Sequence, residues 1–209
     1  MPDVQRYLDR IDEARIRRAK ELSEIKVKLG SGSSPDPELI FSKSVVVLSY
    51  ACWEGFYNEC VGVYIDFLHD IEIKIVDAGW MLLTGALTAS FKSLRDRNHS
   101  DEAQIDFVKR LKEYLECNFI KFDKTIVMSK SNLDFAKLST NFELMNMSFD
   151  AFQSRRLRID KELVGWRHGV AHGGSPDLSS VDAGAHVNFT ADLLLLISDA
   201  FQSAMVERA

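Results

Sequence analysis

Cysteine, proline and long apolar runs are all scarce in this chain of 209 residues. Its three cysteines, Cys52, Cys60 and Cys117, are odd in number and form no C-x-x-C pair, which argues against a disulfide framework and indicates reduced core residues. The four prolines are too few for a proline-rich disordered or collagen-like chain. The composition favours an ordinary globular protein, with a single domain over residues 1–209.

The sequence also lacks a segment that predicts export or membrane insertion. The most apolar window, residues 78–91, contains Thr84, Thr88 and Ser90 and is too short to cross a bilayer. The first 20 residues lack the apolar stretch of a secretory signal, so we expect a cytoplasmic protein. A formal net charge of −5 argues against a surface that coats nucleic acid, because such binding needs clustered Lys and Arg. Any contact with nucleic acid must be local.

Apolar residues recur at helical spacing along most of the chain, which predicts an all-α fold. Helices are expected at residues 2–29, 38–71, 77–91, 102–118, 133–146, 160–173 and 181–207. The N-terminal helix precedes a bundle over 38–207 that has long central helices and a short C-terminal helix pair. Gly30 to Pro37 forms the clearest break, and 119–131 is expected to be a loop.

The helix predicted at 160–173 has recognisable ends. Asp160 is a candidate N-cap for it, as Asn132 is for the preceding helix. Gly173, Gly174 and Pro176 are expected to terminate it.

This last segment contains residues that local structure does not explain. Arg167, His168, an interior Gly169 and His172 lie among apolar residues and make a poor helix unless they have another use. At about 100° per residue, His168 and His172 share one helical face, and Arg167 lies about 140° from His172 but has a long side chain. Gly169 leaves room for a phosphate or a second helix to approach the backbone.

These residue types suit cleavage of RNA through its own 2′-hydroxyl group. That reaction needs a proton acceptor, a proton donor and positive charge on the phosphate, and histidine and arginine supply all three without a metal. The spacing alone is weakly specific. With 13 Arg and five His in 209 residues, chance gives about 0.3 occurrences of R-x4-H.

The surrounding sequence makes the motif more specific. Arg167 to His172 satisfies the HEPN superfamily pattern of Arg, then Asn, Asp or His, then three residues and His, with His168 where Asn is more usual. Residues 158–164 resemble the entry to the motif helix of bacterial HEPN-like nucleases related to the RiboL-PSP group. Residues 50–56 resemble the early helix of that group, and residues 129–133 resemble its segment before the motif helix. The likeness extends over about 40–175.

This resemblance implies a HEPN-type bundle with a metal-independent RNA-cleaving site. Arg167 would stabilise the phosphate, and His172 would act as general base or acid. His168 would either orient His172 or the phosphate, or cover the dimer seam. The motif helices of two subunits would face each other across a composite cleft, giving a homodimer. Family members are commonly toxins of toxin–antitoxin or antiviral systems, so a neutralising antitoxin protein is a further expected partner.

Two other interpretations of the motif stay open. One is a non-catalytic HEPN domain that binds RNA, a nucleotide or a partner protein. The other is a purely structural helical dimerisation module.

Glu54 and Asn58 are one turn apart in a mostly apolar helix, where a carboxylate needs a partner. Glu54 either holds an Arg or His of the motif in place or forms an ion pair with another helix. A basic group before the motif either faces RNA or, as charged runs usually do, lies on a solvated face. Its members are Arg155, Arg156, Arg158 and Lys161.

A metal site has little support in the sequence. His168 and His172 have metal-ligand spacing, but the Glu of an H-E-x-x-H site and a nearby Cys are missing from the sequence. We therefore expect neither a metal nor another cofactor. His69, His99 and His186 stand alone and are assigned no role.

Overall fold

A computed structural model describes residues 3–30, 40–118, 122–174, 178 and 182–209, and its secondary structure is helical. The helices in chain order are α1 Val4–Gly30, α2 Ile40–Asp70, α3 Ile75–Ala78, α4 Leu83–Ala86, α5 Thr88–Asp96, α6 Asp101–Glu116, α7 Phe135–Leu144, α8 Arg156–Arg158, α9 Trp166–Ala171 and α10 Ala183–Val206. Extended pairing in these ranges is limited to one isolated bridge between Lys74 and Asn118. The all-α fold class is confirmed. Most of the predicted break after Gly30, residues 119–121 and Pro176 lie outside the described ranges.

Three long helices, α1, α2 and α10, pack against one another and form the centre of the bundle. Helix α2 is apolar nearly all round, as its sequence predicts, because it lies between the other elements rather than on the outside. Its large side chains Trp53, Tyr57 and Tyr64 are fully buried. Of the expected short C-terminal pair, α9 is short, with six residues. Helix α10 has 24 residues, so it is a full member of the bundle core.

The single helix predicted at 77–91 is wrong, because the chain there is divided into short helical pieces. Gly79 has φ of +139°, a conformation that ends α3 and that residues with a Cβ rarely adopt. Further along, a Cβ on Gly85 would lie 2.2 Å from the Phe122 ring, so the ring packs directly on the Gly85 backbone. The apolar run therefore reflects burial against several neighbours rather than one continuous helix.

In the described part of the chain, one helix is long and apolar enough to cross a membrane by length and composition. It spans Gly184–Val206 with a mean hydropathy of 1.3, but half of it is buried inside the bundle. Its buried side chains include Leu193, Ile197 and Phe201, which belong to the core. A core helix has these same properties.

The cysteines differ in their burial. Cys52 and Cys60 are buried, as expected, and all three thiols are free. Cys117 is only half-buried because it follows the last residue of α6 at the edge of the bundle, so its assignment to the core was wrong.

Candidate functional site

The motif lies at the end of a helical run that starts well before Asp160. A 3₁₀ turn at Asp150–Arg155 leads through α8 into a π-helical segment, Ile159–Gly165, and then into α9. π-Helical segments are rare and occur often at functional sites. The predicted start at Asp160 is wrong, because its carboxylate accepts the backbone N–H of Phe135 at 2.9 Å instead of capping its own helix.

Helix α7 begins at a neighbouring acidic residue rather than at the predicted Asn132. Asp134 is its N-cap and accepts the N–H of Lys137 at 2.7 Å. Asn132 instead donates to the Asp134 carboxylate at 3.4 Å. Asp134 and Asp160 together fix the start of α7 next to the motif helix, because both bind backbone N–H groups of its first turn.

The glycines after the motif end α9 as predicted. Gly173 has φ of +73°, and its N–H binds the Val170 carbonyl at 3.2 Å while the Gly174 N–H binds the Gly169 carbonyl at 2.8 Å. This pair of hydrogen bonds is the Schellman arrangement, which satisfies carbonyls at a helix end. The helix does not break at Gly169, which lies inside it, and His172 is the C-cap residue.

The two motif histidines form a pair on the exposed side of α9. Their ring centroids are 4.3 Å apart, with the ring planes tilted by 52°. Both side chains are exposed. The predicted shared face is therefore confirmed, and two imidazoles lie side by side where a ligand in solution can reach them.

Arg167 points away from this pair, into the protein. Its guanidinium lies 4.0 Å above the centre of the Tyr50 ring, a cation–π contact with α2. One of its Nη atoms donates a short hydrogen bond to the Ser131 carbonyl. Among the described contacts, Arg167 thus meets α2 and the loop before α7 rather than the imidazoles.

That loop, residues 127–133, is held by a stripe of side chains on α2 at positions 50, 53, 54, 57 and 58. This spacing places them on one face of the helix. The hydrogen bonds to the loop are Leu133 N–H to Tyr50 Oη at 2.7 Å, Trp53 Nε1–H to Leu133 O at 3.2 Å, Ser131 N–H to Glu54 Oε1 at 2.9 Å, Tyr57 Oη–H to Val127 O at 2.7 Å, and a reciprocal pair between Asn58 and Ser129 at 2.8 and 3.2 Å. We call these five α2 side chains the loop clamp.

Glu54 has the partners that a carboxylate in an apolar helix needs, and they belong to Tyr50 and the loop. Its Oε1 accepts from the Tyr50 hydroxyl at 3.0 Å, from the Ser131 N–H at 2.9 Å and from the Ser129 hydroxyl. In the described part of the chain these partners are neutral groups, neither a motif side chain nor a cation. Glu54 influences Arg167 only indirectly, because Tyr50 and Ser131 are the residues that Arg167 contacts.

Burial keeps the clamp phenols in their neutral form. Burial raises the pKa of Tyr50 to about 12, with a further increase from the nearby Glu54 carboxylate, while the Leu133 N–H and Arg167 act in the opposite direction. Burial also raises the pKa of Tyr57 well above its ordinary value. Both hydroxyls therefore remain proton donors over the physiological pH range.

His186 was assigned no role from the sequence, yet it lies beneath the motif helix. It is only 1% exposed, and its ring centre is 5.5 Å from that of Trp166. Neither ring nitrogen has a hydrogen-bond partner in the described structure. Burial, helped by the positive charge of Arg158, lowers the pKa of His186 to about 4, so the ring is neutral at neutral pH. Trp166 and His186 belong to different helices, so the spacing of residues within one helix did not indicate their contact.

The basic group before the motif is engaged within the protein. Arg155 donates to the Ala151 carbonyl at 2.7 Å, and the Arg156 guanidinium lies 5.5 Å from the centre of the Phe135 ring. Arg158 lies 3.8 Å above the Phe189 ring and pairs with Glu162 at 3.0 Å. Arg156, Arg158 and Lys161 are nevertheless exposed. Any role of these arginines on RNA has to be compatible with these internal contacts.

The described residues contain no cluster of three or more His, Cys, Asp or Glu side chains that could hold a metal ion. The polar side chains that the motif itself contributes are two exposed imidazoles and the guanidinium held by Tyr50 and Ser131.

The comparisons with known proteins give one positive result. The family model for the RiboL-PSP-HEPN domain matches residues 13–203. No curated protein and no solved structure matches the chain significantly. The family match includes all three sequence segments that meet at Arg167, namely the start of the clamp on α2, the loop and the motif helix. The chain belongs to the RiboL-PSP-HEPN family.

Proposed function

We propose that this protein is a metal-independent endoribonuclease whose site is built on Arg167, His172 and His168. The observation that carries this proposal is an exposed imidazole pair on the same short helix as an arginine whose guanidinium is held by two contacts with the protein. Two imidazoles can divide the proton acceptor and donor roles, since the imidazole group both accepts and donates protons in general acid–base catalysis. The family match is consistent with this function because HEPN domains are often ribonucleases.

The reaction is a transesterification followed by release of the product. A neutral imidazole, His172 in our assignment, takes the proton of the RNA 2′-hydroxyl as the 2′-oxygen bonds to the adjacent phosphorus. The bond from phosphorus to the 5′-oxygen breaks, and a protonated imidazole supplies the proton to that leaving oxygen. The products are a 2′,3′-cyclic phosphate and a 5′-hydroxyl. Arg167 stabilises the charge that develops on the phosphoryl oxygens, since its guanidinium has five N–H donors and one described bond to protein.

We further propose that two subunits pair through their motif helices. The His168 and His172 side chains are on the outer face of α9, so a two-fold arrangement would place four imidazoles along one cleft. In this proposal the protein is a cytoplasmic toxin of a toxin–antitoxin or antiviral system, and a small antitoxin protein covers the cleft.

One observation favours a second candidate, a non-catalytic domain that binds RNA, a nucleotide or a partner protein. The guanidinium of Arg167 already binds a carbonyl and an aromatic ring of its own chain. If these contacts persist when ligand binds, Arg167 is a structural residue and the exposed imidazoles only recognise a partner.

The test is cleavage of a defined RNA by the purified chain in excess chelator. We expect cyclic phosphate ends, and we expect Arg167→Ala and His172→Ala to reduce kcat at least about 100-fold while remaining folded. His99→Asn is the matched control, because it removes an exposed histidine away from the motif. Cleavage that requires a divalent metal would overturn the mechanism. RNA binding without cleavage, weakened by His172→Ala, would support the second candidate.

A further inference from the structure

We infer that Tyr50 is a positioning residue that sets both contacts of Arg167. Its ring lies under the guanidinium, and its hydroxyl holds the loop whose Ser131 carbonyl binds the same guanidinium. A single buried side chain on α2 would thus determine where the charge of Arg167 lies relative to the substrate. The kinetic part of this inference rests on the proposed function, and its structural part does not.

The first contact places the guanidinium over the face of the Tyr50 ring. The distance of 4.0 Å from the guanidinium carbon to the ring centre is short for a cation–π contact, and Tyr50 is only 3% exposed. Because the ring cannot move far inside the core, the charge above it has a defined position. A lysine at position 167 would keep the charge but replace the delocalised guanidinium with a compact ammonium group, so it would not reproduce this contact.

The second contact is set through the loop. The Tyr50 hydroxyl accepts the N–H of Leu133 at 2.7 Å and donates to Glu54 Oε1 at 3.0 Å. The same Glu54 oxygen accepts the N–H of Ser131 at 2.9 Å. The position of the Ser131 carbonyl, and therefore the second contact of Arg167, depends on this short chain of hydrogen bonds.

The conformation of Ser131 supports this dependence. Its φ of +109° is one that residues other than glycine rarely adopt, and such conformations persist only where neighbours enforce them. Glu54 holds the N–H of Ser131 on one side and Arg167 holds its carbonyl on the other. Ser131 thus keeps an unfavourable backbone conformation at the point where Arg167 binds. This is expected if the loop is held in place to position the arginine.

Three variants separate the two contacts. Tyr50→Phe keeps the ring and removes the hydroxyl, Tyr50→Leu removes both, and Glu54→Gln keeps Tyr50 and weakens the hold on the loop. Tyr64→Phe is the matched control, because Tyr64 is a fully buried tyrosine further along α2 whose hydroxyl binds the Met145 carbonyl at 3.5 Å.

The structural readout is the Nε–H signal of Arg167 in ¹⁵N-correlated NMR spectra of the full chain, assigned with Arg167→Lys. We expect this signal to lie upfield in the wild type, because the group is above the face of an aromatic ring, and to stay there in Tyr50→Phe. In Tyr50→Leu it should move to the position of free arginine while the backbone spectrum stays folded. A wild-type signal at the free position, or one that Tyr50→Leu leaves unchanged, would overturn the inference.

The kinetic readout uses cleavage of the same RNA. We expect kcat to fall about 10- to 30-fold in Tyr50→Leu, and less in Tyr50→Phe and Glu54→Gln, with KM nearly constant. In an Arg167→Lys background, Tyr50→Leu should have little further effect, because it acts through the arginine. Additive losses would contradict a positioning role. If the wild type does not cleave RNA, the proposed function fails, and the NMR readout alone decides the role of Tyr50.

Discussion

Acidification should destabilise this protein through His186, and the size of the effect follows from its burial. Its pKa in the folded protein is about 4, against an ordinary value of 6.5 that applies when the chain is unfolded. Protonation of His186 therefore favours the unfolded state. The stability that neutral His186 contributes is present above about pH 6.5 and is lost as the pH falls from 6.5 to 4. Each pKa unit corresponds to about 1.4 kcal/mol, which gives a loss of about 2 kcal/mol at pH 5 and about 3 kcal/mol below pH 4.

The assay is urea unfolding at pH 7.5, 6 and 5 for the wild type and His186→Phe. Phenylalanine keeps a ring against Trp166 and removes two nitrogens that lack partners, so the variant should fold. The test is the change with pH in the difference between the two free energies of unfolding, because the carboxylates titrate alike in both proteins. We expect that difference to change by about 2 kcal/mol between pH 7.5 and 5. His99→Asn, which removes an exposed histidine, should change nothing, and parallel curves for wild type and His186→Phe would refute the reasoning.

Two further substitutions test the fold itself by denaturant unfolding. Gly173→Ala should cost about 1 kcal/mol, because φ is +73° there. Gly62→Ala, in the interior of α2 where an added Cβ would meet open space, should instead stabilise by about 1 kcal/mol, so equal effects at the two glycines would contradict the assigned conformations. Phe142→Ala should cost about 3–5 kcal/mol, because this fully buried ring contacts the rings of Phe149, Phe152 and Phe201. A loss under about 1 kcal/mol would mean that this aromatic cluster is not part of the core.

The long helices were predictable because each has a uniform environment along its length. Helix α1 has one apolar stripe, and α2 is apolar nearly all round because other elements cover most of its surface. The region 77–91 was not predictable, because Gly79 and Gly85 act through contacts with residues distant in sequence. The Gly85 backbone packs on Phe122, and a Cβ on Gly79 would meet Asn146. The spacing of apolar residues reports on the surroundings of a single helix. It does not reveal contacts between a glycine and a residue distant in sequence.

Contacts between residues distant in sequence were also missed at the candidate site. The motif residues were identified because glycine, arginine and histidine conflict with a helix interior, and such a conflict is visible within six residues. The loop clamp was not identified, since Tyr50, Trp53 and Tyr57 at helical spacing are indistinguishable from ordinary core residues. Their polar atoms bind a loop that lies 70 to 83 residues further along the chain. Asn58 and Glu54 broke the apolar pattern, which showed that partners exist but not which ones.

The family resemblance rested on three separate segments of sequence, and the structure gives a physical reason why they occur together. Tyr50 from the first segment and Ser131 from the second are the two groups that hold Arg167 from the third. We therefore expect substitutions in residues 50–56 or 129–133 to alter the position of Arg167, as substitutions in the motif would. The exposed histidines have no comparable support among the described contacts beyond each other. The unit that surrounds Arg167 in this chain is therefore larger than the six-residue motif: it is an arginine on a short helix, together with the helix face and loop that it contacts.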